Sequence, residues 1–139
     1  MRGATMAVGY FLKLGALQGE SRDSRHKGWI DLEAFSWGQM TQGAGRGGDI
    51  WATKLTDRTS MEIQDAWSSG RVFKTASIEV VKQATLRIDL LTVTVTSYQL
   101  APTPAEAFSL WYQDVQVNHA PIKDNTQLAS MLRAAGLAR

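Results

Sequence analysis

The sequence predicts a mainly β domain with long, bent strands, and three observations support this prediction. Residues 72–81 and 86–98 have the clearest strand patterns, and over residues 91–96 apolar side chains alternate with threonines at period two. The phase of the alternation slips within 86–98 and again within the last strand, at 108–117. Only one helical pattern lies between the strands. Each slip predicts a β-bulge or burial of both faces, and two slips favour strands that turn a barrel corner over a flat sheet.

Three strand candidates come earlier in the chain, at residues 10–14, 29–37 and 49–56. The first is a short apolar run that ends at Gly15, and the second is rich in aromatic and aliphatic side chains. Between the second and the third, four of the six residues 43–48 are glycines. Such a segment cannot pack a core of its own, so we predict a mobile loop there.

A helix is predicted between the strands at 49–56 and 72–81. Thr59 followed three residues later by Glu62 is typical of a capping box, and Gly70 stands where a left-handed residue ends a helix. One face of this helix is apolar and is expected to pack on the domain's own sheet: Ile63, Ala66 and Trp67.

A second helix is predicted near the C-terminus, with Asn125 or Thr126 as its cap. Its apolar stripe consists of Leu128, Met131, Leu132 and Ala135. Terminal elements are less often fixed by their own domain, so this stripe can pack on the protein's own core or on a partner.

Length and composition indicate one globular domain over residues 1–139 and exclude several kinds of site. The mass of 15.3 kDa is within the range of a single core. The absence of cysteine excludes disulfides, thiol catalysis and Cys-ligated zinc or iron–sulfur sites. A count of two histidines argues against a His-rich metal centre.

The charge pattern argues against nucleic acid as a partner. The formal net charge is +2, from 15 basic and 13 acidic residues that are scattered along the chain. No apolar run reaches the roughly 18 residues of a membrane-spanning helix. Residues 1–10 lack the apolar core of a secretory signal peptide, so we expect neither membrane insertion nor export by that route.

No motif for catalysis is present: there is no GxSxG elbow, HExxH pair or Walker A loop. His26 lies close to Asp23 and Ser24, but its neighbours are polar throughout, so a solvated loop is predicted. His119 is predicted at the surface, after the last strand. Two carboxylates in strands are expected to face solvent or to form ion pairs: Asp31 and Asp89. We therefore predict no catalytic, cofactor or metal site, and no enzyme.

Tryptophan is unusually frequent, and its preferred interpretation is the core or a subunit interface rather than a stacking site for sugars or bases. Trp67 lies on the apolar face of the first helix, which favours the core. Trp29 borders the polar loop, which favours an interface or rim. The remaining tryptophans are Trp37, Trp51 and Trp111.

Several short segments between residues 6 and 121 form, by their order and spacing, a pattern that is more specific than any one of them. The middle of the pattern is Ile30-Asp31-Leu32 followed by Phe35-Ser36-Trp37-Gly38. The other matching segments are residues 6–8, 11–14, 19–21, 23, 26–27, 68–70, 93–98 and 106–121. Their order and spacing resemble the haemolysin-coregulated protein (Hcp) family, the tail-tube subunit of type VI secretion systems.

The chain departs from this family pattern at several places. Residues 1–5 precede the family-like start, and the turn at 82–84 is shorter than in many members. The segment Phe35-Ser36-Trp37-Gly38 corresponds to the family's Trp-Ser-Trp-Gly stretch, so Phe35 replaces its first tryptophan. Glu33 stands at a position that is usually apolar in the family. Residues 122–139 match no family motif and are predicted to be helical.

The resemblance implies a small closed β-barrel of two sheets with one flanking α-helix. It also implies homohexameric rings that stack into a tube, which a contractile sheath expels from the cell and which can carry effectors in its lumen. The implied partners are the chain itself, the sheath and spike proteins and the secreted effectors, with no cofactor. The implied location is the cytoplasm before firing and the outside of the cell afterwards.

The same resemblance assigns three groups of site candidates by matched position. Ser36 corresponds to a residue on the channel side and is the candidate for lumen and cargo contact. The loop candidates for ring stacking are Gln39, Gly43, Arg46, Gly47 and Gly48. The candidates for the ring face are Glu20, Asp23 and His26.

Three other functions are alternatives to that of a tube subunit. A tube protein of a phage-like or extracellular contractile tail would share the fold. A monomeric β-barrel could bind a small ligand or an oligosaccharide on its aromatic face. An effector enzyme is disfavoured, since the chain after Pro121 is much shorter than the roughly 50 residues of the smallest domains.

Overall fold

The structure is a computed structural model that describes residues 9–38, 47–81, 85–100, 105–122 and 124–134. In these ranges the chain forms eight strands and two helices. The strands are β1 (Gly9–Leu14), β2 (Ile30–Leu32), β3 (Ala34–Trp37), β4 (Gly48–Leu55), β5 (Val72–Val81), β6 (Thr85–Leu100), β7 (Ala105–Val117) and β8 (Ala120–Pro121). The helices are α1 (Ser60–Ser69) and α2 (Asn125–Ala134). The mainly β prediction is confirmed.

The strands form one antiparallel sheet that curls until its ends meet. The order is β2-β1-β5-β6-β7-β4-β3, with β8 paired to β7. The two end strands, β2 and β3, are consecutive in the chain and are separated by Glu33 alone. The chain itself therefore joins the two ends of the sheet, and the Glu33 N–H continues the β3–β4 ladder by donating to the Thr53 carbonyl at 2.8 Å. The result is a nearly closed barrel, and the single strand predicted at 29–37 is in fact two short strands.

The predicted bend is shared by three neighbouring strands. In each, the buried side chains change from one parity to the other: between Phe73 and Ala76 in β5, between Leu90 and Val93 in β6, and between Tyr112 and Val115 in β7. The register is the same on both sides of this level, because all three strands turn together. Thr92 of β6 lies at this level with a φ of 55°. We call this level the corner.

A separate irregularity follows further along β6. Its register with β7 shifts between Val95 and Ser97, so Thr96 is an extra residue on the β6 side. The parity change and the bulge are therefore two different features of the same strand. The sequence pattern locates the first and contains no sign of the second.

Helix α1 covers one side of the barrel with Ile63 and Ala66, as predicted. Trp67 is instead 43% exposed and lies beside Tyr98, with ring centroids 6.3 Å apart. Gly70 ends the helix in the left-handed conformation with a φ of 70°, which confirms its predicted role.

The predicted capping box at the start of α1 is wrong. Thr59 has helical dihedral angles, and its side chain makes no capping hydrogen bond. Its hydroxyl donates to Asp57 Oδ1 at 2.6 Å, and its backbone N–H donates to the same oxygen at 2.8 Å. Hydrogen bonds to a carboxylate are stronger than those between neutral groups, so Thr59 bonds to Asp57 and does not form the reciprocal pair of a capping box.

Helix α2 packs on the protein's own core through Leu128 and Leu132, which are both buried. The capping carboxylate belongs to Asp124, whose Oδ1 accepts from the Gln127 N–H at 2.8 Å. The cap therefore lies just before the predicted Asn125 or Thr126. The predicted stripe residue Ala135 lies outside the described residues.

Candidate functional site

Ser36 lies on the outer side of β3, directly opposite Trp51 of β4. Outward and inward side chains alternate here, so Ser36 and Trp51 are exposed while Trp37 is buried. Trp51 is 51% exposed, although apolar side chains of this size are usually covered. Seven uncharged residues line the shallow groove around this pair: Ala34, Phe35, Ser36, Trp51, Ala52, Thr53 and Ala107. The groove offers apolar contact and two hydroxyl groups, and no charge.

The stacking-loop candidates are only partly within the described chain. Gln39, Gly43 and Arg46 lie outside the described residues. Gly47 and Gly48 are described, and both are buried. Gly47 packs so closely on β7 that a Cβ would overlap the Trp111 ring and lie 2.6 Å from the Tyr112 carbonyl oxygen. Gly48 is already part of β4. The close packing at Gly47 therefore requires a residue without a side chain just before β4.

His26 is buried, with 2% of its surface exposed, so the predicted solvated loop is wrong at this residue. Its Nδ1 is 2.6 Å from Asp23 Oδ2, and its Nε2 is 2.7 Å from Glu79 Oε1 of β5. The ring stacks on Phe11 of β1, with centroids 4.0 Å apart and planes at 3°. Trp29 contacts the ring edge-on, with centroids 4.9 Å apart. The histidine therefore fastens the 19–29 segment, residues 19 to 29, onto the outside of the barrel.

The same hydrogen-bond network continues across the outer face of β5 and β6. Arg87 Nη1 donates to Glu79 Oε2 at 2.9 Å, and Arg87 Nε donates to Asp89 Oδ1 at 3.1 Å. The hydrogen bond with Asp89 is the main reason that the Arg87 pKa is raised. Asp89 is thus ion-paired, as predicted for a strand carboxylate. The hydrogen bond from His26 likewise lowers the pKa of Asp23.

The three ring-face candidates do not form a single cluster. Asp23 and His26 are in contact, as described above. Glu20 is exposed, and its Oε2 accepts from the Arg58 backbone N–H at 2.7 Å, just before α1. The 19–29 segment therefore bridges two parts of the molecule, the β5–β6 face and the start of α1.

A buried ionic cluster that the sequence pattern did not predict lies under the start of α1. Lys54 points into the barrel with none of its surface exposed. Its Nζ donates to Asp57 Oδ1 at 2.8 Å and lies 3.5 Å from Glu106 Oε1 of β7. Ser60 of α1 donates its hydroxyl proton to Glu106 Oε2. The available signal was the strand phase, because Lys54 has the same parity as buried Ile50 and Ala52.

This cluster sets the ionisation of Asp57. Burial raises the pKa of Asp57, but the hydrogen bonds from Lys54 and Thr59 outweigh burial, so the net pKa is lowered. The cluster contains the acidic side chains Asp57 and Glu106 and the amine of Lys54, and it ties β4, β7 and α1 together.

Among the described ranges of the chain, no group of three or more His, Asp or Glu side chains could hold a metal ion. No helix within those same ranges is long and apolar enough to cross a membrane.

Comparison with known proteins gives one family and many related structures. A family model described as "Type VI secretion system effector, Hcp" matches residues 11–119. A solved structure titled as that of a type six secretion system protein is 26% identical, with a TM-score of 0.69 over 86% of this chain and 92% of that one. Hcp1 from Salmonella typhimurium is 20% identical, with a TM-score of 0.72 over 81% and 86%. A type VI secretion system effector from Yersinia pestis is 22% identical, with a TM-score of 0.70 over 84% and 99%. A search of curated protein sequences gives no match.

Proposed function

The chain belongs to the Hcp family of type VI secretion effectors, and from this membership we propose that it is the subunit of a secretion tube. The match over residues 11–119 is the observation that supports the proposal most strongly. In the proposed assembly, six subunits close into a ring and the rings stack. A ring needs head-to-tail contacts that close by rotation, whereas stacking does not close and extends a tube to any length.

The surface of the isolated subunit supports self-assembly. Seven large apolar side chains are exposed among the described residues: Trp51, Leu55, Met61, Trp67, Val72, Leu91 and Leu100. Single exposed apolar residues are normal, but so many on a small barrel favour burial by neighbouring copies. The nearly closed sheet leaves little strand edge free, so contacts between subunits rest mainly on side chains and loops.

We place the Ser36 groove on the channel side of the ring, where it contacts cargo. The lining of the groove carries no charge, which supports a position on the channel wall, because an uncharged wall does not select cargo by the sign of the cargo's charge. The loop that ends at Gly47 is proposed to reach the next ring, and the 19–29 segment is proposed to lie at a ring face.

The proposed role is structural and has no catalytic step. We propose that the subunit assembles in the cytoplasm together with the sheath and spike proteins, and that it leaves the cell as part of the expelled tube. A tube protein of a related contractile tail would share this assembly.

The test is the solution mass of the full chain by light scattering, with negative-stain images of the same peak. A hexamer would have a mass of about 92 kDa, six times the 15.3 kDa of the chain, and would appear as a ring with a central hole. A monomer that persists at high concentration would contradict the tube proposal and favour a ligand-binding barrel.

A further inference from the structure

The two hydrogen bonds of His26 specify its protonation state. Both ring nitrogens face a carboxylate oxygen, at 2.6 Å from Asp23 and 2.7 Å from Glu79. An ionised carboxylate only accepts hydrogen bonds, so each nitrogen must donate one. A neutral imidazole carries one N–H, whereas the imidazolium ion carries two. The geometry therefore fits the protonated ring.

The charged groups around His26 come from three elements. The ones that face the ring directly or through a shared partner are Asp23 of the 19–29 segment, Glu79 of β5, and Arg87 and Asp89 of β6. Strand β1 contributes the uncharged Phe11 ring. Arg87 shares its charge between Glu79 and Asp89. The hydrogen bond from His26 lowers the pKa of Asp23 most, and the charge of Arg25 adds a smaller lowering.

We propose that His26 is a proton-dependent latch, in which the imidazolium ion joins Asp23 of the 19–29 segment to Glu79 of the barrel. When the ring loses a proton, one nitrogen lone pair faces a carboxylate inside a buried contact. An unpaired buried polar group of this kind is costly, so the segment detaches. Because Glu20 of the same segment accepts from the Arg58 N–H, detachment also breaks this contact just before α1.

The direction of the pH dependence follows from these charges. Histidine ordinarily changes charge between about pH 5 and pH 8. The latch is therefore closed while the ring is protonated, and raising the pH favours the open form. Asp23 sets a lower limit, since its carboxylate is lost only when the pH falls through its lowered pKa.

The experiment measures amide hydrogen exchange of the full-length protein at about pH 5 and about pH 8, with intrinsic exchange rates divided out. The amides of residues 19–29 report on the latch, and the amides of β6 serve as the internal reference. For the wild type we expect protection of the 19–29 amides to fall by about ten- to a hundredfold at the higher pH, since a hydrogen bond to a charged group is lost. Protection of the β6 amides should stay constant.

Three variants separate proton dependence from packing. His26→Gln removes the titrating ring, so protection of the segment should become equal at the two pH values. Glu79→Gln lets a neutral ring satisfy both bonds, with Nδ1–H donating to Asp23 and Nε2 accepting from the new amide, so the pH dependence should shrink while the segment stays docked. His119→Gln is the matched control, because His119 is exposed and is the other histidine of the chain.

The proposal fails if the wild-type segment is equally protected at both pH values. It also fails if His119→Gln abolishes the dependence, or if Glu79→Gln leaves it as steep as in the wild type. Should His26→Gln not fold, the wild-type profile and the other two variants still decide. The readout is local, so absence of rings would contradict the tube role without affecting this test.

Discussion

At the residue scale, the most consequential side chains are polar groups that the fold buries against charged partners. Lys54 lies inside the barrel with two carboxylates, and His26 lies under Phe11 between two more. Buried charges of this kind hold elements together only while every partner is present. Removing one partner is therefore expected to lower the free energy of unfolding by more than the intact set of charges contributes to it.

We expect Lys54→Met to lower the free energy of unfolding by about 3–5 kcal/mol, because Asp57 and Glu106 lose their shared cation. Urea unfolding at fixed protein concentration measures the change. Lys74→Met is the control, since Lys74 is an exposed lysine on β5, and its effect should stay within about 0.5 kcal/mol. Equal effects of the two substitutions would contradict the account of the cluster.

We expect Ser36→Gln to leave rings intact and to impair retention of cargo, because the longer side chain fills the groove beside Trp51. Retention is measured by co-purification of an effector with the assembled protein. Ser69→Gln, an exposed change at the end of α1, is the matched control. Unchanged co-purification would remove Ser36 from the cargo surface.

At the element scale, sequence patterns located strands well and connections poorly. The alternation over 91–96 corresponds to β6, and the apolar run at 10–14 corresponds to β1. Apolar side chains at period two share one face of a strand, so their burial determines which face points into the barrel. The break at Glu33 was not predictable from periodicity, because it arises where the chain stops pairing with β1 and starts pairing with β4, at the other end of the sheet. The contact of His26 was hidden similarly, because Glu79 lies 53 residues away.

The corner of β5, β6 and β7 gives a prediction about backbone strain. Thr92 is β-branched and has a φ of 55°, a conformation that costs such residues about 1–3 kcal/mol. We therefore expect Thr92→Gly to be neutral or to raise the free energy of unfolding. Thr94→Gly, two residues along the same strand, should lower it by about 1 kcal/mol. Thermal or urea unfolding of both variants measures the difference, and a larger loss in Thr92→Gly would contradict the strain.

At the scale of the whole molecule, the barrel is closed within the subunit but still exposes large apolar side chains. The fold class was predictable from the strands, whereas this exposed set was not. Trp67 shows why: its helical spacing places it with Ile63 and Ala66, but its side chain lies beside Tyr98 of β6 and is 43% exposed. Spacing gives the face of a helix and cannot give the width of the surface beneath it.

If assembly buries these side chains, its temperature dependence should show it. Apolar burial weakens on cooling, so we expect rings to dissociate more at about 4 °C than at about 25 °C at the same concentration. Light scattering at the two temperatures measures this. Rings that resist cooling but dissociate in high salt would indicate that charged contacts dominate instead.

The shared corner also constrains how the lengths of these strands can vary among relatives. Three strands reverse their inside and outside faces at one level while keeping register. A single inserted residue on one strand near that level would turn every later side chain of that strand the wrong way. Evolution can therefore change strand length here only by compensating steps in neighbouring strands. Insertions and deletions in homologues should accumulate in the connections and avoid the corner.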